Sequence, residues 1–277
     1  MKKTIKIFWI IAAGLLITGL ILGGIGFCHL SGPEELSLNS QQNTGLPVTV
    51  TQPFTDVVIE ETAGDIQLRS TPQNNATVTG PRTGSVVYEV EVTNGVLVIR
   101  PTRSVELFSF YEENTPLTVS LPQAVYHSIT VTTESGDICC SGEWQVRQAK
   151  LSAESGEISL INGQYGQLTL STESGDISLY DLHCEDITAT AESGDIEAEN
   201  VLAKNAVTAA TESGDMEWEN CDAEKLTLTA ESGDISGHLL TDKIFQANSE
   251  SGSVHVPEAD KGSVCRIHTG SGNIDFQ

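Results

Sequence analysis

The tetrapeptide Glu-Ser-Gly-Asp recurs down the second half of the chain at a fixed step. Copies begin at Glu134, Glu154, Glu173, Glu192, Glu212, Glu231 and Glu250, and a worn eighth reads Gly270-Ser271-Gly272-Asn273. Consecutive serines are 19 or 20 residues apart. A period of this length marks a stacked array in which each copy is one rung.

With the serine as position 0, apolar residues fall on alternate positions. Ile129, Ala149, Leu168, Ile187, Val207, Leu226, Phe245 and Cys265 stand at −6. Val131, Leu151, Leu170, Ala189, Ala209, Leu228, Ala247 and Ile267 stand at −4, and small residues at −2. After the turn the phase resumes at +3 (Ile138, Ile158, Ile177, Ile196, Met216, Ile235, Val254, Ile274) and at +5 (Leu160, Leu179, Trp218, Phe276 among others). Leu182, Val201, Cys221 and Leu240 mark a further inward corner at +8. Period-two alternation on both sides of a turn predicts two short strands per rung, one face inward. The glycine at +1 supplies a positive φ and leaves room for close rung-to-rung approach. The serine hydroxyl is expected to bond the turn backbone. The fold class predicted is all-β, a β-solenoid of stacked 19–20-residue rungs.

Residues 7–27 form an uncharged apolar run of 21 residues, preceded by Lys2, Lys3 and Lys6 and followed by Glu34 and Glu35. At 1.5 Å per residue such a helix spans a hydrocarbon core of about 30 Å. The flanking charges place the amino terminus in the cytoplasm and the remainder outside. Residues 1–30 are therefore read as a basic tip and transmembrane signal anchor. The alternatives are a cleaved signal peptide, which wants a shorter run and a small-residue site, and a lipoprotein modified at Cys28, which Phe27 fits poorly. Residues 31–45 read as a polar linker and 46–277 as the solenoid domain, with 46–125 an irregular capping half and 126–277 the regular repeats. Asn94-Gly95 between two β-rich runs predicts a tight hairpin. Ala63-Gly64-Asp65-Ile66 reads as a worn first copy of the repeat.

Subtracting the three amino-terminal lysines from 14 leaves 11 cations against 38 acidic residues, a balance of −27 outside the membrane. That balance argues against nucleic acid or anionic lipid as a partner, since both want cationic patches.

Pro116-Leu117-Thr118-Val119-Ser120-Leu121-Pro122, then 129–138 with Glu134-Ser135-Gly136-Asp137, then the repeated Ser-Gly-Asp-Ile units, resemble the bacterial "putative adhesin" family. The resemblance covers roughly residues 46–277. It implies a β-strand-repeat domain carried behind an amino-terminal membrane helix, and it supplies no catalytic residues. Glu157, Ser253 and Asn273 depart from the repeat aspartate.

Three candidate surfaces remain. Glutamates at −1 and aspartates at +2 form acidic columns, among them Glu173, Asp176, Glu192, Asp195, Glu212, Asp215, Glu231 and Asp234. Like charges one rung apart, at about 4.8 Å, repel by ~0.9 kcal/mol even in bulk water. Calcium is the candidate counter-ion for such oxygens, against a solvated edge screened by salt. The last copy in the chain, with Ile267, Ile274 and Phe276, is expected to form the uncapped distal end and to contact a partner or a second copy, the alternative being that Phe276 folds over the core as a cap. Trp144 lies off the regular slots and is expected to be exposed; Trp218 fills a core slot. Cysteines 140, 221 and 265 fall inward and 139 outward, without C-x-x-C spacing, and Cys184 beside His183 reads as incidental. No catalytic constellation recurs. The leading reading is a non-enzymatic, membrane-anchored cell-surface solenoid for adhesion, scaffolding or envelope sensing, with a surface protein or glycan as partner. The alternative is a parallel-β-helix enzyme acting on surface polysaccharide.

Overall fold

The computed structural model describes residues 46–80, 86–103 and 115–277; the anchor and the linker lie outside them. The described residues form a β-solenoid of about eight turns with no helix. In the regular part the strands are β8 (Val125–Ser135), β9 (Ile138–Ser141), β10 (Gln145–Ser155), β11 (Ile158–Ser174), β12 (Ile177–Ser193), β13 (Ile196–Glu199), β14 (Leu202–Ser213), β15 (Met216–Ser232) and β16 (Ile235–Leu239). Before them come β1 (Val48–Val50), β2 (Asp56–Glu61), β3 (Ile66–Thr71), β4 (Ala76–Thr79), β5 (Val86–Thr93), β6 (Val96–Arg103) and β7 (Leu117–Pro122). After them come β17 (Lys243–Ser251), β18 (Val254–His255), β19 (Ser263–Ser271) and β20 (Ile274–Phe276).

Neighbouring rungs pair in parallel, like residue over like residue. Ile158 lies beside Ile177, Leu160 beside Leu179 and Ser174 beside Ser193. The pre-turn strands stack into one face and the post-turn strands into a second. A short third face is made by pairs such as Val146 with Tyr165 and Tyr165 with Cys184. The alternating columns read from sequence point inward: Ile177, Ile196, Leu226, Leu228 and Trp218 are fully buried. Outward Thr188 is exposed.

The turn explains its glycine. A Cβ on Gly194 would lie 2.0 Å from the Gly175 carbonyl oxygen, and one on Gly214 2.1 Å from that of Gly194. Both obstacles are backbone, which cannot step aside. Gly194 also has φ 156°, but the close approach is the feature shared by every turn of the column.

At both ends the order in space departs from the order in the chain. β2 pairs with β8 on one side and β6 on the other, and β3 likewise sits between β9 and β7. The first rung in the chain is thus internal, and the next one covers it. β4 runs antiparallel to β7, β1 to β4, and β5 to β6. The β5–β6 turn is the expected Asn94-Gly95 hairpin, with φ of 53° and 80°. The worn copy at Gly64 stacks as a true rung: Ile66 pairs with Ile138.

The carboxyl end mirrors this. β19 pairs with β15 and with β17, and β20 pairs with β16 and with β18. The last rung of the chain is therefore inserted, and β17–β18 close the stack. This corrects the expectation of an uncapped last copy: Ile267, Ile274 and Phe276 are buried, and the Phe245 ring of the outer rung lies 5.5 Å from that of Phe276. Three further expectations are corrected. Val254, read as an inward +3 residue, is exposed, because its rung is the outermost and no further rung among the described residues covers it. Trp144 is buried, its indole N–H donating to Tyr165 Oη at 3.4 Å. Leu240 is 52% exposed, because a register shift after Glu219 brings Leu239 opposite Cys221 instead.

Replacing Ile196 with Asp is expected to cost about 4 kcal/mol or more in urea unfolding, as an unpaired charge is forced into the core. The same change at Thr188 should shift the midpoint little, and equal effects would refute the inward phase. Gly194→Ala should cost about 3 kcal/mol, at the upper end for overpacking, since the obstacle is a carbonyl.

Candidate functional site: the turn edge and the axial groove

The aspartate column is a hydrogen-bond ladder. Asp195 N–H donates to Asp176 Oδ1 at 2.8 Å, Asp215 N–H to Asp195 Oδ1 at 2.7 Å and Asp234 N–H to Asp215 Oδ1 at 2.7 Å. It extends to Asn273, whose N–H donates to Asp234 Oδ1 at 2.6 Å, and to Ser253, whose N–H donates to Asn273 Oδ1 at 3.1 Å. In the first rungs Asp137 N–H uses Asp65 Oδ1 and Glu157 N–H uses Asp137 Oδ1. Backbone bonds close the same corner, such as Gly175 N–H to the Ser193 carbonyl at 3.1 Å.

The three departures from the repeat aspartate now have a physical reading. Asn273 keeps the Oδ1 acceptor and drops only the charge. Ser253 lies in the outermost rung, so no further amide needs its side chain. Glu157 is one methylene too long, and no side chain accepts the Asp176 N–H among the described residues.

Hydroxyls at −2 make a second ladder that sequence reading missed. Thr211 Oγ1 donates to the Gly194 carbonyl at 3.1 Å, Thr269 Oγ1 to that of Gly233 at 2.9 Å and Ser249 Oγ to that of Gly272 at 2.7 Å. The turn serines are exposed. Aspartates and the −2 hydroxyls do the work expected of them.

The glutamates at −1 stand in a separate, exposed column. The Glu192 carboxyl is pushed above its ordinary value of 4.5 by partial burial and then by the carboxylates of Glu173 and Glu212. Among the described residues no group of three or more His, Cys, Asp or Glu side chains is placed to hold a metal ion. The structure brings Glu173, Glu192, Glu212 and Glu231 into one line and Asp176, Asp195, Asp215 and Asp234 into another. It does not gather them into a calcium-like cage.

A second surface runs along the axis on the third face. An open groove of about 1280 Å³ extends from Val125 to Ser263. Its floor is the buried column Val146, Tyr165, Cys184, Ala203 and Ala223. Register shifts between Cys184 and Asp186 and between Ala203 and Ala206 bend the strands there. Cys184 is thus a floor residue facing the core, and burial pushes its thiol up to about 12.

Lys243 closes the distal end of the groove. Its ammonium is almost fully buried and bonds the Asp222 carboxylate, the Ala223 carbonyl at 2.7 Å and Ser263 Oγ at 2.8 Å. Lys243 and these partners together span three successive rungs, so one side chain ties the outer rung across the inserted one. At the proximal mouth His127 Nδ1 lies 2.9 Å from Asp56.

Three outcomes follow from this geometry. Glu157→Asp should restore the missing acceptor and stabilise the fold by about 1 kcal/mol. Lys243→Met should cost about 2 kcal/mol, the worth of charge-assisted bonds that include a neutral carbonyl and hydroxyl. Glu192 binds its proton more tightly when folded, so its favourable contribution is complete below pH 4.5 and is lost as pH rises through its raised value. Glu192→Gln should therefore raise the melting temperature at pH 7 and leave it unchanged at pH 3.

The Toastrack DUF4097 family model matches residues 54–276. Among solved structures, the fold is similar to a "putative adhesin" from Bacteroides fragilis, with TM-score 0.57, 17% identity, and coverage of 84% of this chain and 97% of that one. It is also similar to a "putative lipid binding protein" from Parabacteroides distasonis, with TM-score 0.55, 16% identity, and coverage of 85% and 98%. No curated protein matches the chain. At these identities the structures establish a shared fold. The family match spans nearly the whole described solenoid, and the chain belongs to the Toastrack DUF4097 family.

Proposed function

We propose that this protein is a membrane-anchored, extracytoplasmic rod whose outer end makes an adhesive or scaffolding contact with a second copy of the chain, and that it performs no catalysis. The rod follows from the ladder: eight Ser-Gly turns at about 4.8 Å span ~34 Å from first to last. The anchor is the uncharged run 7–27, with lysines before it and glutamates after it.

The observation that carries the contact is the composition of the outer rung. Three of the five large exposed apolar side chains among the described residues, Leu240, Ile244 and Val254, lie there or lead into it. β17 pairs only with β19 among the described residues, so one row of its backbone groups is open to another strand. The acidic columns also thin out toward this end: Ser253 and Asn273 replace aspartate and Gly270 replaces glutamate. Two acidic rods would repel along their sides, and least at these ends. The adhesin-like names of the similar structures point the same way.

Two measurements test the proposal. Protease added to intact cells should remove the solenoid and leave a short membrane stub; release of a mature form starting near residue 29 would overturn the anchor. Sedimentation of the purified full chain should show a concentration-dependent dimer that Val254→Lys with Ile244→Lys abolishes. A monomer at all concentrations, or a dimer indifferent to both lysines, would overturn the end-to-end contact.

A further inference from the structure

The proximal half of the axial groove differs from the rest of this acidic molecule. From Val125 to Cys184 no carboxylate lines it among the described residues, and the first to appear is Glu185. In a chain with 38 acidic residues against 14 cations, three successive rungs free of acid along one face stand apart. What lines the walls instead is four amides, with Arg147 and the imidazoles of His127 and His183. Gln145 stands over Gln164, and Gln148 over Gln167. All four are exposed, and Gln148 Nε2 donates to Gln167 Oε1 at 3.4 Å. Between these columns Gly166 follows Arg147, and a Cβ there would lie 2.5 Å from the Arg147 carbonyl oxygen. The floor is therefore left without a side chain at that step. Val146 and Tyr165 provide an apolar base.

A primary amide donates and accepts at once and carries no charge, as a hydroxyl does. Two parallel amide columns over an apolar floor match a chain that presents hydroxyls at its edges and C–H faces between them. The repeat distance selects among such chains. Rungs advance by about 4.8 Å, whereas an extended peptide advances ~3.3 Å per residue and falls out of step after one rung. A β-linked pyranose chain advances by close to one ring per rung. An anionic polymer would face the field of a molecule of net charge −24.

We propose that the groove between Val125 and His183 binds an extended neutral glycan laid along the solenoid axis, one sugar to each rung. The inference rests on the fold and the groove alone. It stands or falls separately from the anchor and from the end-to-end contact.

The test is calorimetric titration of the purified full chain with cellobiose, cellotetraose, chitotetraose and a neutral Gly-Ser peptide of matched length. Four rungs predict that at least one tetrasaccharide binds ~10-fold or more tightly than the disaccharide, as successive hydrogen-bonding subsites fill. Gln164→Ala with Gln167→Ala should weaken that binding by ~10-fold, the worth of about two such bonds, with the melting temperature unchanged because both side chains are exposed. Glu224→Gln, in the distal half, should leave the affinity unaltered. Absence of heat with both tetrasaccharides at millimolar concentration would overturn the proposal. So would equal affinity for the peptide, or binding that survives the double substitution.

Discussion

The structure depends on how closely two backbones meet at the Ser-Gly corner. The carbonyl of one turn glycine fills the space where a Cβ of the next would be, about 2 Å away. That contact fixes the stacking distance at the corner, and with it the register of both flanking strands. Register in turn decides which residues of each strand are buried, because a slip of one residue would exchange the two faces. The aspartate side chains then satisfy amides that the corner leaves without a strand partner. The Thr and Ser hydroxyls at −2 bind the glycine carbonyls from inside the stack. Three sets of bonds thus act on the same few atoms, and the apolar core follows from the register they impose.

A stack of identical rungs has two ends that could add further strands. Here each end is closed by exchanging the order of its last two rungs, so that the outermost rung in space is not the outermost in the chain. The chain crosses over one rung and returns, which buries Ile274 and Phe276 and leaves Phe245, Ala247 and Val256 partly buried against the core. Lys243 reinforces the carboxyl end because its partners lie in the inserted rung and in the rung beyond it. The near end uses a buried carboxylate for a similar purpose. Glu61 accepts the Tyr88 hydroxyl of β5 as well as the Thr62 N–H, and burial together with that carboxylate pushes the Tyr88 phenol far up.

Much of this was legible because the repeat is regular. The serine column located the turns of the regular rungs, and the residues at −6, −4, +3 and +5 gave the buried faces of every such rung but the outermost. The exchange of rungs was not legible from hydrophobic pattern, because an inserted rung and a terminal rung bury the same positions. A signal was nevertheless present. Asn273, in the last copy, retains a side-chain acceptor, whereas Ser253, in the copy before it, does not. Only a rung with another beyond it needs that acceptor. Trp144 and Leu240 were misplaced for different reasons: Trp144 lies between β9 and β10, where no strand alternation runs, and Leu240 follows a one-residue register shift after Glu219 that alternation cannot report. The groove was invisible in sequence because its walls come from positions where no residue type repeats through all rungs.

Engineered cross-links test the stacking order most directly. Arg266 lies beside Thr227 on one side and beside Gln246 on the other, at the one-rung spacing that a disulfide can bridge. Thr227 and Gln246 are two rungs apart, about 9.6 Å, which is beyond its reach. The account predicts efficient oxidation of the Thr227→Cys/Arg266→Cys pair and of the Gln246→Cys/Arg266→Cys pair, and none of the Thr227→Cys/Gln246→Cys pair. Rapid closure of that third pair, with failure of Thr227→Cys/Arg266→Cys, would mean that the rungs stack in chain order and would contradict it.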